Sequence, residues 1–482
     1  MKHLKQTVLL LLSLSLLFAS CAKEPDIPAE STAPVTGSVP EETTSLEPDL
    51  PDIYYDGADF TILNGNTATW MTVFAVTTEG ENGDSVNDAI YRRNLAVEEK
   101  YGVNLVEKLS GSAKADLLAA FAAGDETYDI ALVGMMDALA VALEDGALDY
   151  ADVPYIDVTK PWWVPNTADR MSLGGHVYYA ISQFDTSHYD SVRTLFFNKQ
   201  LINDCKLDDP YQLVYDGKWT LDVMLNMGLA AAQDLNGDSA WGDGDRFGFT
   251  SYDSMGANVL CSGAGAVIST NKDENDMPIF NMNNAMYQER FEKISRMVNE
   301  NPGFSNPLGT GANGGDANAF IEGRALFFAE ALANIKKLRD MEDDFGILPA
   351  PKYDEAQERY YNLGGFPYFQ LVPSTNGDVE RTGIIVEALA FASLDRIDTA
   401  FYEVYLQSKT IRDEDSPKML DLIFSTLDYN LPLARSHFAN KTAQLVWAGN
   451  LNFASYFAKI DSAVEAEIEV VEKFLADLKQ EN

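Results

Sequence analysis

Cysteine is scarce in this chain of 482 residues, which has three: Cys21, Cys205 and Cys261. The two in the body of the chain do not make a disulfide framework; one bridge or two buried thiols both fit, burial being the commoner fate. Histidine is equally thin, with His3, His176, His188 and His437 scattered and no HExxH or CxxC spacing, which argues against a transition-metal enzyme. Basic charge is short as well. Lys and Arg number 35 against 74 Asp and Glu, a field that makes nucleic acid and anionic lipid surfaces poor partners but says little about a neutral ligand. Beyond the first twenty residues there is no apolar run of the roughly 20 residues a membrane helix needs. No GxSxG elbow and no GxxxxGK[ST] phosphate loop is present, so catalysis lacks its usual flags. The run GTGANG, Gly309 to Gly314, fits GxGxxG by letter, yet it follows the turn chemistry of NPGFSNPL and has no βαβ unit around it.

The amino-terminal segment is informative. Residues 1–20 place Lys2 and Lys5 before an apolar run from Val8 to Phe18 and then small residues, the pattern of a secretory signal peptide. Leu17, Phe18, Ala19, Ser20 and Cys21 resemble a bacterial lipobox, which implies lipidation at Cys21; ordinary cleavage with Cys21 incidental is the alternative. Residues 21–52 form a tether rich in acidic and hydroxyl side chains, with six prolines and no aromatic residue. Such a segment cannot bury enough apolar surface to offset its ordering entropy. Its reach as a coil is roughly 30 Å. An extracytoplasmic protein, lipid-anchored to the cell membrane, is expected. Removal of the signal leaves a balance of −41, from 33 basic and 74 acidic residues.

From Ile53 short β-type runs alternate with helical patterns: DFTILN, DAIYRRNLAVEEKYG, VNLVEKL, AKADLLAAFAAGDE and YDIALVG. The helices carry apolar residues at three and four spacing, which predicts a layered α/β domain with largely parallel strands. A second such region begins near SVRTLFFNK and includes RFGFTSY, RALFFAEAL and DFGILPAP; helices dominate after NLGGFPYFQLVP.

The ordered set YDIALVG, KPWW, TLFFNKQLINDC, GKWTLDVML, the DLNGD loop before RFGF, FIEGRALFFAEAL, DFGILPAPKYDEAQ and RDEDSPKMLDLIF resembles bacterial extracellular solute-binding proteins of family 1, the maltose-binding type. The resemblance implies the type II periplasmic-binding-protein fold: two α/β lobes joined by a hinge, with a ligand cleft between them, delivering a small-molecule carbohydrate to ABC transporter permease subunits as a monomer. Segment by segment it places lobe one at 53–183 and 365–428 and lobe two at 184–364 and 429–482. The first crossover is then YYAISQFDTSHYDSVRTLFF and the return crossover NLGGFPYFQLVP.

A sugar offers hydroxyls to polar groups and a CH face to an aromatic ring. Candidate ligand contacts are therefore the aromatic and acidic residues at the crossovers and strand ends. Trp70 in NGNTATWM is the foremost stacking candidate. Trp162 and Trp163 are adjacent, so one can face the core and the other the cleft. Phe184, Asp185 and Asp190 sit on the first crossover, where solvation or a salt bridge to Arg193 would also explain the carboxylates. Glu330 follows an apolar run at a strand end, and Phe366 and Tyr368 lie on the return crossover.

In DLNGDSAWGDGD, Asp234, Asn236, Asp238 and Asp245 fall at positions 1, 3, 5 and 12 of a calcium loop, with the Ala240 carbonyl at position 7. The turn glycine is Gly237 at position 4 and not at position 6, where Ser239 stands, and the last ligand is Asp where Glu is usual. A structural Ca2+ ion, or glycine and Asx turns that order the loop unaided, both fit. No cofactor is required. A secreted glycoside hydrolase is the rival function, because two catalytic carboxylates carry no fixed sequence spacing.

Overall fold

The computed structural model describes residues 47–71, 75–165, 167–242, 244–251, 254–266, 271–279, 284–305, 315–394, 396–406, 413–429 and 437–481. The signal peptide, Cys21, most of the tether and the GTGANG run lie outside them.

Phe60, Ile62 and Leu63 are buried on both faces of Ala58–Asn64 (β1), so this strand sits inside a sheet covered on two sides. It runs parallel to Val103–Leu109 (β2) and to Ile130–Gly134 (β3). The helix Ser85–Tyr101 (α1) makes the first crossover. It starts where the Asp84 carboxylate accepts the amides of Val86 and Asn87, both at 3.0 Å, a cap worth about 1 kcal/mol. Helices Ala113–Ala123 (α2) and Met135–Leu143 (α3) follow β2 and β3.

The chain then crosses to a second sheet, built from Arg193–Asn198 (β4), Phe247–Ser251 (β5), Ala325–Ala331 (β8) and Phe345–Leu348 (β9), with a small antiparallel hairpin of Asn271–Lys272 (β6) and Pro278–Ile279 (β7) outside it. The order is β5-β8-β4-β9, with β4 antiparallel to both neighbours. All seven residues of β8 are buried, which is why ALFFAEA reads as a continuous apolar run. The strand Asn362–Leu363 (β10) leads back, Tyr368–Leu371 (β11) joins the first sheet antiparallel to β3, and Leu427–Asp428 (β12) pairs with β10.

From Glu47 onward the chain is one compact unit in which the two sheets share no strand. One face of the first sheet packs on Val97, Tyr101, Trp162, Trp163, Ile384 and Leu389, and one face of the second on Leu221, Met224, Leu260 and Phe291. A third apolar cluster touches both sheets, through Leu63 and Val133 on one side and Phe196 and Phe328 on the other.

Two expected boundaries shift. Phe184 belongs to the core around Phe60 and Ile62, so the first lobe extends past residue 183. The helix Phe453–Glu481, about 44 Å long at 29 residues, is not confined to lobe two: Phe453, Phe457 and Ile460 enter the second sheet's core, whereas Phe474 packs edge-on against Tyr178 at 5.6 Å. Its apolar residues change partners midway along the helix. Among the described residues no helix is long and apolar enough to cross a membrane.

Candidate functional site

The two crossovers lie side by side. Ala180 and Gln370 exchange backbone hydrogen bonds at 2.9 and 3.2 Å, the Ser182 hydroxyl and the Gln370 side-chain amide bond at 2.8 to 3.0 Å, and Tyr368 donates its amide to the Ser187 hydroxyl at 2.8 Å. Farther along, the Ser191 hydroxyl donates to the Gly364 carbonyl at 2.7 Å. These bonds hold the two crossovers against each other, and the two sheets share no strand.

The carboxyl ends of β1 and β3 open beside this pair. Gly65 stands so close to the β3 backbone that a Cβ would come within 2.6 Å of the Leu132 carbonyl and 3.6 Å of the Tyr368 ring. The absence of that Cβ lets Tyr368 lie over the strand ends. Burial raises the Tyr368 phenol pKa, and nearby Asp185 adds to the effect. Beyond Gly65 the loop carries Trp70, whose ring is 37% exposed. From the other side Arg193, at the start of β4, sets its guanidinium 5.6 Å from the centre of that ring. Lys336, in the helical turns Leu332–Asp340 after β8, donates to the carbonyls of Trp70 at 3.4 Å and Met71 at 3.3 Å.

Glu330 lies opposite Thr194 in the β4–β8 register and is buried, one oxygen accepting the Ala331 amide at 2.7 Å. Desolvation lowers the pKa of Arg193, and the Glu330 charge opposes that shift. Trp70 thus meets Arg193 and Lys336, with Glu330 in the field of Arg193 and Tyr368 over Gly65 at the foot of the same loop. Phe366 is partly buried against the apolar cluster shared by both sheets.

The remaining expectations are corrected. Trp162 and Trp163 are each 1% exposed. Both indole N–H groups donate to the Glu387 carboxylate, at 2.7 and 3.0 Å, so neither ring faces a cleft. Phe184 is buried under the guanidinium of Arg93 at 4.8 Å. Asp185 and Asp190 are buried, and neither offers an open oxygen to a ligand. Asp185 accepts the Ser187 hydroxyl and, at 3.2 Å, its amide. Burial raises its pKa to about 6, with Asp190 adding and Ser187 opposing. His188 bonds the Asp185 carbonyl at 2.7 Å, and burial lowers its pKa to about 4, so the ring is neutral.

The residues expected around Ca2+ bond their own loop. Asp234 accepts the amides of Gly237 and Ser239, Asn236 that of Asp238, Asp238 that of Ala240, and Asp245 those of Leu235 and Gly242, at 2.6 to 3.0 Å. The side-chain oxygens are turned onto the loop's own backbone. Among the described residues no three acidic, histidine or cysteine side chains are grouped to hold a metal.

Sequence reasoning missed Arg193 and Lys336. SVRTLFF did show an arginine at the mouth of a strand, but only as a salt-bridge partner that would explain the crossover carboxylates.

No family model matches the chain, and no curated protein matches it in sequence. Solved structures do match it in three dimensions. The sugar-binding protein MalE from the phytopathogen Xanthomonas citri is 13% identical, with 88% of this chain and 100% of that chain covered at a TM-score of 0.58. A family 1 extracellular solute-binding protein from Bifidobacterium longum subsp. infantis is 12% identical over 88% and 100%, with a TM-score of 0.53. An ABC substrate-binding protein from Listeria monocytogenes, solved in complex with cycloalternan, is 12% identical over 87% and 100%, with a TM-score of 0.51. The architecture is therefore the type II periplasmic-binding-protein fold. Within that class it is the fold of the maltose-binding type of solute-binding protein.

Proposed function

We propose that the protein captures a carbohydrate, an oligosaccharide in particular, between its two lobes and delivers it to an ABC importer. In this reading Cys21 carries the lipid that holds it at the outer face of the cell membrane. The observation that carries the reading is the placement of Trp70: an exposed residue in the loop after β1, its ring 5.6 Å from the Arg193 guanidinium at the start of β4, with Glu330 in the field of that arginine. A ring to stack on, donors and an acceptor are what a polyhydroxylated ring needs. The solved neighbours, among them proteins bound to maltotetraose and raffinose, support the same class of guest.

Capture rests on closure. A guest touching both lobes stabilises the closed arrangement by the contacts it makes only there. The pivot in this reading is the pair of crossovers, where Tyr368 donates its amide to the Ser187 hydroxyl. Calorimetric titration of the purified mature protein with mono- and oligosaccharides tests this. One guest per chain, no hydrolysis products, and a roughly ten-fold loss of affinity in Trp70→Ala are expected. Turnover of an oligosaccharide, or silence across a broad panel of neutral and acidic glycans, would overturn it.

A further inference from the structure

The six tryptophans divide by position. Trp162, Trp163 and Trp219 are buried, and each indole N–H has an acceptor: Glu387 for the first two, the Pro349 carbonyl at 3.0 Å for the third. Trp70 stands in the loop after β1, facing Arg193. The remaining two, Trp241 and Trp447, lie more than 200 positions apart and are only partly buried, yet they line one cavity of about 330 Å3 in the second lobe. That cavity is remote from the crossovers. The Trp241 ring is 5.6 Å from the ring of Phe247, which opens β5 opposite Ala325, the first residue of β8. The last residue of β8, Ala331, stands opposite Arg193. Seven residues of strand put roughly 20 Å between these two ends.

Trp241 belongs to the acidic loop. Asp245 accepts the amides of Leu235 and Gly242 on either side of it, and the ring rests on Gly303, where φ is +80 and a Cβ would come within 2.4 Å of the indole. The loop's carboxylates thus set a tryptophan in place. Trp447, at the end of the helix His437–Trp447, has its ring 6.4 Å from that of Phe249. Asn299 and Asn301 line the same cavity. The amide nitrogen of Asn299 donates to the Ser295 and Val446 carbonyls at 2.8 and 3.0 Å, and that of Asn301 to the Arg296 and Met297 carbonyls at 3.0 and 3.1 Å. Both nitrogens are turned onto carbonyls, which leaves each side chain its oxygen as an acceptor. No charged side chain lines the cavity, so a charged guest would be desolvated there without a counter-charge. Two rings for CH faces, with amide oxygens and indole N–H groups for hydroxyls, suit a neutral pyranose. We infer that this cavity is a second carbohydrate site, taking a neutral sugar unit of a glycan chain at the outer end of lobe two. It is separate from the cleft and independent of the capture reading. With no second lobe to close over the guest it binds more weakly than the cleft, and fills at higher glycan concentration.

The test is fluorine NMR of the full mature chain labelled with fluorotryptophan, its signals assigned by replacing each tryptophan singly with phenylalanine. The probes are hexaoses of neutral α-glucan, β-glucan, xylan and mannan, with tetramethylammonium as a charged comparison. At least one hexaose shifts the Trp241 and Trp447 signals along one binding curve and leaves those of Trp162, Trp163 and Trp219 in place. Trp70→Ala, which weakens the cleft, leaves that affinity unchanged. Read from the Trp447 signal, Trp241→Ala costs about ten-fold in affinity and Trp241→Phe less; read from the Trp241 signal, Trp447→Ala costs about as much. An affinity that falls with Trp70→Ala, a loss confined to one of the two tryptophans, tighter binding of tetramethylammonium, or silence of both signals across the hexaoses each overturns the inference. The Trp70 signal of the parent chain reports the cleft separately, so sugar capture can stand where the outer site fails.

Discussion

The indole N–H of Trp162 donates to the Glu387 carboxylate at 2.7 Å, and its neighbour Trp163 takes the other oxygen at 3.0 Å. One carboxylate therefore holds two adjacent rings inside the first lobe. Burial raises the pKa of Glu387 to about 7 from an ordinary 4.5, with the two indole donors pulling it back. A carboxyl group whose folded pKa is raised stabilises fully below its unfolded pKa, and that contribution is lost as pH climbs through the folded value.

Two measurements follow for Glu387. Glu387→Ala leaves two buried indole donors unpaired and costs about 3 kcal/mol in denaturant unfolding. Glu387→Gln keeps the shape but cannot ionise, so its stability relative to the parent improves between pH 5 and pH 8. An unchanged difference across that window would show that Glu387 titrates normally.

The return crossover is fixed by a glycine. Gly365 has φ +70, and a Cβ there would run into the Ser191 carbonyl. Gly365→Ala is expected to cost at least about 2 kcal/mol, from the left-handed backbone and the displaced Ser191 segment together. Chemical denaturation measures the loss, and titration with the guest shows a changed affinity, since Ser191 also bonds the Gly364 carbonyl on the pivot. A variant as stable as its parent would mean the crossovers separate freely.

Much of this architecture was legible in the chain. The apolar runs of β1, β3, β4 and β8 and the capped pattern of α1 are local signals, and local signals survive without coordinates. The two crossovers were placed by the order of segments. What stayed hidden depends on residues distant in sequence. Trp162 and Trp163 read as a ring pair free to face either way until Glu387, more than 220 positions later, takes both donors. Asp185 and Asp190 are polar and sit on the crossover, but polarity says nothing of the backbone that folds over them. Arg193 was visible as a residue; its place over the ring of Trp70, more than 120 positions earlier, is a property of the packed molecule alone. The helix Phe453–Glu481 likewise has one continuous pattern, whose change of partner at midlength no periodicity reports.

The loop around Asp234 yields a prediction about metal. Asp245 accepts the amides of Leu235 at 3.0 Å and Gly242 at 2.8 Å, which hold its pKa below the ordinary value. A carboxylate depressed in this way stabilises above its unfolded pKa and ceases to do so as pH falls. The backbone already occupies these oxygens. Treatment with EDTA should accordingly leave the melting temperature unchanged, and Asp245→Ala should lower it near neutral pH with or without chelator. A fall in melting temperature on chelation, restored by Ca2+, would sink this account of the loop.

The hairpin of β6 and β7 reaches from the second lobe to the first. The Lys272 amine donates to the Asp169 carbonyl at 2.6 Å and the Ser172 carbonyl at 2.7 Å, and pairs with Asp276 at 2.9 Å. Asp276 accepts the Gly175 amide at 2.9 Å. Burial opposes ionisation of Asp276, but Lys272 and that amide outweigh it and hold the pKa low. The clasp is thus complete at neutral pH and weakens as acid protonates Asp276. Lys272→Ala removes three acceptor contacts of a largely buried amine, and about 1 to 2 kcal/mol of local stability should go with them. Amide exchange is the sensitive readout: Gly175 should exchange faster in Lys272→Ala and faster still in Asp276→Ala, while amides of β1 and β8 keep their protection. If Gly175 is unprotected in the parent chain, the hairpin does not hold the lobes, and the crossovers alone set how far they part.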